Sequence, residues 1–188
     1  LMLLWGLGPT AASAAADPRT GGLDLPAPCV VLLHGLGRRA ASMTPMASDL
    51  ASRGYRVYNI GYPSTDASVE ALTDTYLRPA VAQCRQEGCR VIHMVAHSLG
   101  AIMIRQYLQA RQLPVGSRIV MLSPPNQGSE VVDVLGPYFF YRWIMGPAGQ
   151  QLGTAPESLP NRLMPVDGQI GVITGNYSWN LILSKMIP

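Results

Sequence analysis

Charge is scarce in this sequence: 13% of its 188 residues are Asp, Glu, Lys or Arg, and the net charge is +3. The basic residues stand singly or in pairs, with no run interleaved with aromatics, so a nucleic-acid partner is not expected. No apolar run approaches the about 20 residues that a membrane-crossing helix needs. Cysteine occurs three times, and no His/Cys cluster has metal-ligand spacing, so neither metal nor cofactor is expected. Histidine is equally rare. His34, His93 and His97 are the only ones, and none follows the elbow discussed below.

Hydrophobic residues make up 48%, too many for a disordered chain and enough for one sizeable core. The opening "LMLLWGLG" followed by "PTAASAAADP" reads as the apolar core and small-residue cleavage site of a signal peptide over residues 1–16. The basic segment and initiator Met that usually precede such a core are missing. The sequence is therefore expected to start inside its leader, and the protein to be exported to the bacterial periplasm or beyond. Cys84 and Cys89 flank a short "RQEG", which suggests a small disulfide loop with Cys29 left as a buried apolar residue.

Apolar strand-length runs alternate with helical patterns. "CVVLLH", "YRVYNIGY", "CRVIHMVAH", "SRIVMLS" and "QIGVITG" read as strands, with helices predicted between the first four. A kink is expected at Pro79, inside the helix that follows Ala67. Strands that are apolar on both faces and alternate with helices imply an α/β, doubly wound, mostly parallel sheet. From about 124 to 165 the pattern breaks into Pro- and Gly-rich sequence, the mark of an insertion before the last strand.

Chemistry concentrates in "VAHSLGA". A serine hydroxyl becomes a nucleophile only when it projects from the backbone and a base takes its proton. A strand–turn–helix corner achieves the projection but crowds the positions two before and two after the serine, which must be small. Here they are Ala96 and Gly100, around Ser98. The Leu99 N–H, directly after the serine, and the Leu36 N–H, in the "HGLG" loop after the first strand, are the candidate oxyanion donors. Gly35 lets that loop bend close. His34 is expected to shape the loop, and His97 to pack or orient locally rather than act as base.

"HGLG" after an apolar strand, with "AHSLG" at a later strand-to-helix corner, resembles the α/β-hydrolase superfamily in its bacterial lipase/esterase branch. "SPPNQGSE" resembles the segment after the sixth strand of such lipases, and the similarity runs from about Pro28 to Ile187. Ala96 departs from the usual G-x-S-x-G. The resemblance implies a carboxylic ester hydrolase working through Ser98 and an acyl-enzyme intermediate. A small-molecule or lipid ester would be the substrate, with transient contact to a membrane or lipid surface. It also implies that Phe139, Phe140, Tyr141 and Trp143 belong to a lid or acyl pocket.

In this fold the triad runs Ser, then Asp or Glu, then His. Glu130, Asp133, Glu157 and Asp167 follow Ser98, but no acid or His follows the last strand. The expectation is a domain over 17–188 that lacks its C-terminal part and is inactive by itself. A thioesterase or amidase with the same nucleophile and a catalytically silent binding domain are the alternatives.

Overall fold

The computed structural model describes residues 27–175, apart from the side chains of residues 141 and 142. The signal-peptide expectation for residues 1–16 lies outside the described residues. Five strands, β1 (Cys29–Leu33), β2 (Arg56–Ile60), β3 (Ile92–His97), β4 (Arg118–Leu122) and β5 (Gln169–Ile173), form one parallel sheet in the order β2-β1-β3-β4-β5. The α/β-hydrolase fold class read from the sequence is the one observed.

β1 is buried at all five positions, which is why its sequence is uniformly apolar. One face carries the main core: Ile92, Met94 and Ala96 of β3 pack with Leu99, Ile102 and Met103 of helix α4 (Leu99–Leu108). The other face carries a smaller cluster of Val30, Leu32 and Met43, with Val95 and Met46 against it, under helix α1 (Thr44–Ser52). The chain leaves β1 toward β2 on one side and returns to β3 on the other. The strand order therefore reverses at the carboxyl ends of β1 and β3, where ligands bind in open α/β sheets.

The helix expected after Ala67 runs as α2 (Val69–Leu72), a π turn at Thr73–Leu77 and α3 (Arg78–Gln86). Pro79 sits at the start of α3, so the irregularity falls one turn earlier than the proline. The wider π turn accommodates the ring and its missing N–H. Residues 124–168, between β4 and β5, form helices α5 (Glu130–Leu135), α6 (Phe139–Gln150) and α7 (Leu159–Arg162).

The cysteine pairing differs from the expectation. Cys29 and Cys89 are joined, with Cα atoms 5.9 Å apart, and Cys84 is a buried free thiol. Sequence proximity favoured Cys84–Cys89, but topology decides otherwise. β1 lies beside β3, and the Cys29 N–H donates to the Val91 carbonyl at 3.1 Å, which brings Cys29 to the residue pair just ahead of β3. The three sulfurs nevertheless lie within 4.8 Å of one another. Burial and the Glu87 charge push the Cys84 thiol up to about 11, which leaves little thiolate near neutral pH. Non-reducing peptide mapping should recover a Cys29–Cys89 pair, with Cys84 alkylated only after unfolding. Recovery of a Cys84–Cys89 peptide from native protein would contradict this arrangement. Breaking the crosslink with Cys89→Ser should cost about 4 kcal/mol, since the bridge spans 60 residues of sequence.

Candidate active site

Ser98 sits between β3 and α4 with φ 50° and ψ −116°, a conformation that L residues rarely adopt. The corner is held from both sides. The Ser98 N–H donates to the Leu122 carbonyl of β4 at 2.9 Å, and the Ser98 carbonyl accepts from the Ala101 N–H at 2.9 Å. Ala96 is fully buried beneath it. A Cβ on Gly100 would lie 2.7 Å from the Leu33 Cβ and 3.0 Å from the Leu33 and His34 carbonyl oxygens. The small-residue demand read from the sequence is thus a measured close approach of α4 to β1.

The "HGLG" loop stands directly beside this corner. A Cβ on Gly35 would lie 2.5 Å from His97 Nδ1 and 3.3 Å from Ser98 Cβ. The loop is fixed by partners that the sequence analysis did not single out. Tyr62 stacks on His34 at 4.0 Å between ring centroids and 10° between planes, and its hydroxyl donates to the His34 carbonyl. The Gly37 N–H donates to Ser64 Oγ at 2.9 Å, and Arg38 N–H closes the turn on the Gly35 carbonyl at 3.1 Å. Among the described residues no backbone carbonyl accepts from the N–H of Leu36 or Leu99.

Ser98 and Leu36 open on one cavity of about 870 Å³. Val131, Val132, Leu152 and Val172 give it apolar walls, while Ser123, Asn126 and Thr154 add polar groups. Much of the wall is the "SPPNQGSE" segment. Ser123, at the end of β4, also has positive φ (44°), a strain that sequence inspection did not reveal.

The described aromatic residues expected in a lid or acyl pocket do not line this cavity. Phe139 and Trp143 are each 83% exposed and Phe140 is 47% exposed, and none lines the cavity. The Tyr141 side chain lies outside the described residues. The reason is the way α6 packs. Gly149 brings it against Leu36, and Gly146 (φ 62°) brings its backbone so close to the Thr65 carbonyl that a Cβ there would overlap it at 1.5 Å. Gly146 also breaks the helix: Phe139 and Trp143 lie before the break and face solvent, and Ala148 lies buried after it.

None of the three histidines is hydrogen-bonded to Ser98. His93 lies five residues before it on β3, about 16 Å away by strand rise, and its Nδ1 accepts from the Arg118 N–H at 3.0 Å. His97 shares the face of Val95 and lines a separate cavity with Arg38, Met43, Met46 and Asp49. His34 is buried, its Nδ1 is 2.9 Å from the Gly35 carbonyl, and its Nε2 accepts from the Tyr62 N–H at 3.5 Å. Of the acids after Ser98, Asp133 accepts from the Thr154 hydroxyl at 2.6 Å and from its N–H at 3.0 Å, and Glu130 lines the cavity.

All three imidazoles are held below the ordinary value of 6.5. Burial does this for His34, burial and the Arg118 charge for His93, and burial with the Arg38 and His34 charges for His97. The unfolded chain therefore binds protons near pH 6.5 that the folded chain refuses. Stability should be full above that value and fall as the pH drops through it, by at most about 1.4 kcal/mol per pH unit from His34. Thermal unfolding followed between about pH 7.5 and about pH 5 should show a falling midpoint, with a shallower fall in His34→Gln. Equal slopes for the two proteins would contradict a buried neutral His34.

A family model described as "Alpha/beta hydrolase family" matches residues 30–180. No curated protein matches the sequence. Among solved structures, the mature Bacillus licheniformis lipase BlEst2 is similar with a TM-score of 0.55 and 19% identity, over 76% of this chain and 58% of that one. The phospholipase PlaB of Legionella pneumophila, in complex with thio-NAD, gives 0.59 and 20%, over 79% and 38%. The Paleococcus ferrophilus monoacylglycerol lipase gives 0.52 and 18%, over 79% and 86%. At these identities the likeness is one of fold, and the chain spans little more than half of the mature BlEst2 lipase.

Proposed function

The chain belongs to the alpha/beta hydrolase family, and from that premise we propose that it is a serine hydrolase of carboxylic esters, with lipid esters as its substrate class. The observation that carries the reading is the Ser98 corner. A serine in a strained backbone conformation, beside a glycine loop and at the mouth of a cavity, is placed to attack a carbonyl carbon. In this reading Ser98 Oγ adds to the ester carbonyl, and the Leu36 and Leu99 N–H groups hold the oxyanion. The alcohol then leaves, and water releases the acid from the acyl-enzyme.

In this proposal none of the three histidines is the base, because none is hydrogen-bonded to Ser98: His93 and His34 pair with backbone groups, and His97 lines a separate cavity. The cavity suits an acyl chain of several carbons, since its size lies within the range of small-molecule sites and its walls include Leu36, Val131, Leu152 and Val172. The exposed Phe139 and Trp143 supply apolar area for transient contact with a lipid surface. Export is part of the same reading. It is supported by the leader-like residues 1–16 and by the Cys29–Cys89 disulfide, which persists in oxidising compartments.

The test uses protein expressed from the full reading frame, a p-nitrophenyl ester series and a fluorophosphonate probe. Hydrolysis with covalent labelling at Ser98 supports the proposal. Absence of both would leave a silent binding domain as the better account, and labelling with thioester or amide turnover alone would move the substrate class.

A further inference from the structure

Helix α4 follows directly on Ser98 and carries Arg105 in its last turn. The Arg105 guanidinium is partly buried, and burial holds its pKa below the ordinary value. Among the described residues no carboxylate pairs with it. A buried charge without a counter-ion is costly unless acceptors replace its water. Carbonyls do so here. Nη1 donates to the Asn126 carbonyl at 2.9 Å, with the Asn126 side-chain oxygen at 3.5 Å, and Nη2 donates to the Pro160 and Leu163 carbonyls at 3.0 Å each. Charge-assisted bonds of this kind are roughly twice as strong as neutral ones, and the planar fork fixes their directions.

The acceptors belong to two segments that meet at the cavity. Asn126 is in the Pro124–Gly128 wall of the cavity that Ser98 also lines, Pro160 is in α7, and Leu163 directly follows it. The wall and the α5–α7 segment are already bonded to each other. The Ser129 N–H donates to the Leu152 carbonyl at 2.8 Å, and Gly128 packs against Gly153 so closely that a Cβ would lie 2.1 Å from its oxygen. That unit meets the rest of the molecule at several places, among them Gln151 on Val69 and Glu70, Gly146 at Thr65, Gly149 at Leu36, Gln109 on Met164 (3.2 and 3.0 Å), and Arg105, which alone of these also bonds the Asn126 wall. The hydrogen bonds that hold Ser98 and the Gly35 loop come from Leu122, Tyr62 and Ser64, outside that unit, although the Leu36 side chain lies against Gly149.

We propose that Arg105 is a positioning residue for the substrate: its fork sets the Pro124–Gly128 wall at a fixed distance from the helix that follows Ser98, and so fixes the width of the cleft. Arg105 does not itself line the cavity. The inference rests on the serine-hydrolase reading given under Proposed function. It separates binding from chemistry, because loss of the fork moves the wall and leaves the nucleophile and the oxyanion loop in place.

The experiment compares wild-type protein from the full reading frame with Arg105→Lys, Arg105→Gln and Arg105→Ala. Readouts are kcat and KM on a medium-chain p-nitrophenyl ester, the rate of Ser98 labelling by a small fluorophosphonate, and limited proteolysis within 124–165. Arg105→Ala should raise KM about tenfold while kcat and the labelling rate stay within about twofold. Lysine should recover part of the loss, and millimolar guanidinium ion should draw the KM of Arg105→Ala back toward wild type. Should alanine fail to fold, Arg105→Gln carries the same comparison. A folded variant with wild-type KM, or one whose kcat and labelling fall in step with KM, overturns the proposal. Should wild type ignore both ester and probe, it is the serine-hydrolase reading that fails. Proteolysis then decides alone: cleavage about tenfold faster in Arg105→Gln supports the clamp, and unchanged cleavage overturns it.

Discussion

Replacing Ser98 by alanine should lower ester turnover of the full-length protein by about 10⁵–10⁶-fold and abolish fluorophosphonate labelling, while the fold survives. The expectation comes from the backbone. Holding a non-glycine residue at φ 50°, ψ −116° costs of order 1–3 kcal/mol, and such strain persists only where the surroundings over-determine it. Here the Leu122 carbonyl, the start of α4 and the packing of Gly100 on Leu33 fix the turn whatever side chain it carries. Alanine keeps the same backbone demand, so it removes the hydroxyl with little change in stability. Ser123 is the control, because it lines the same cavity and is also strained. Ser123→Ala should retain labelling. Turnover that survives in Ser98→Ala and disappears in Ser123→Ala would put the nucleophile on β4 and sink the assignment.

Much of this was legible in the sequence because it depends on sterics close along the chain. Ala96 and Gly100 are small for a local reason, and the run at Cys29–Leu33 is apolar because both faces of that strand are covered. What could not be read depends on partners distant in sequence. Cys89 joins Cys29 rather than nearby Cys84 because β1 and β3 are neighbours, a fact of strand order and not of spacing. The resemblance implied a lid or acyl pocket for the aromatics of α6, but where they lie is set by the break and close approach at Gly146, whose partner Thr65 is distant in sequence. Tyr62 carries no motif that announces its stacking on His34. Arg105 carries no motif either, and its acceptors Asn126, Pro160 and Leu163 are all distant from it in sequence.

The substitution Gly100→Ala should be the second most damaging, lowering kcat about 100-fold by displacing groups it does not touch. The new Cβ would sit 2.7 Å from the Leu33 Cβ and 3.0 Å from two carbonyl oxygens. β1 cannot yield, because all five of its residues are buried between the two clusters and it is bonded to a strand on each side. The helix must therefore move, and Ser98 and the Leu99 N–H move with it, away from the Gly35 loop that is anchored on Tyr62 and Ser64. A shift of about 1 Å in a reacting group is enough for a loss of that size. Overpacking of this kind should also cost about 1–3 kcal/mol of stability. Gly171→Ala is the matched control, since a Cβ there meets nothing within 4 Å, and it should leave both the melting temperature and kcat near wild type. Thermal unfolding alongside steady-state kinetics separates the two effects. A folded Gly100→Ala with wild-type kcat would mean that α4 and the oxyanion loop shift together, and the rigid corner on which the Ser98 mechanism depends would have to be given up.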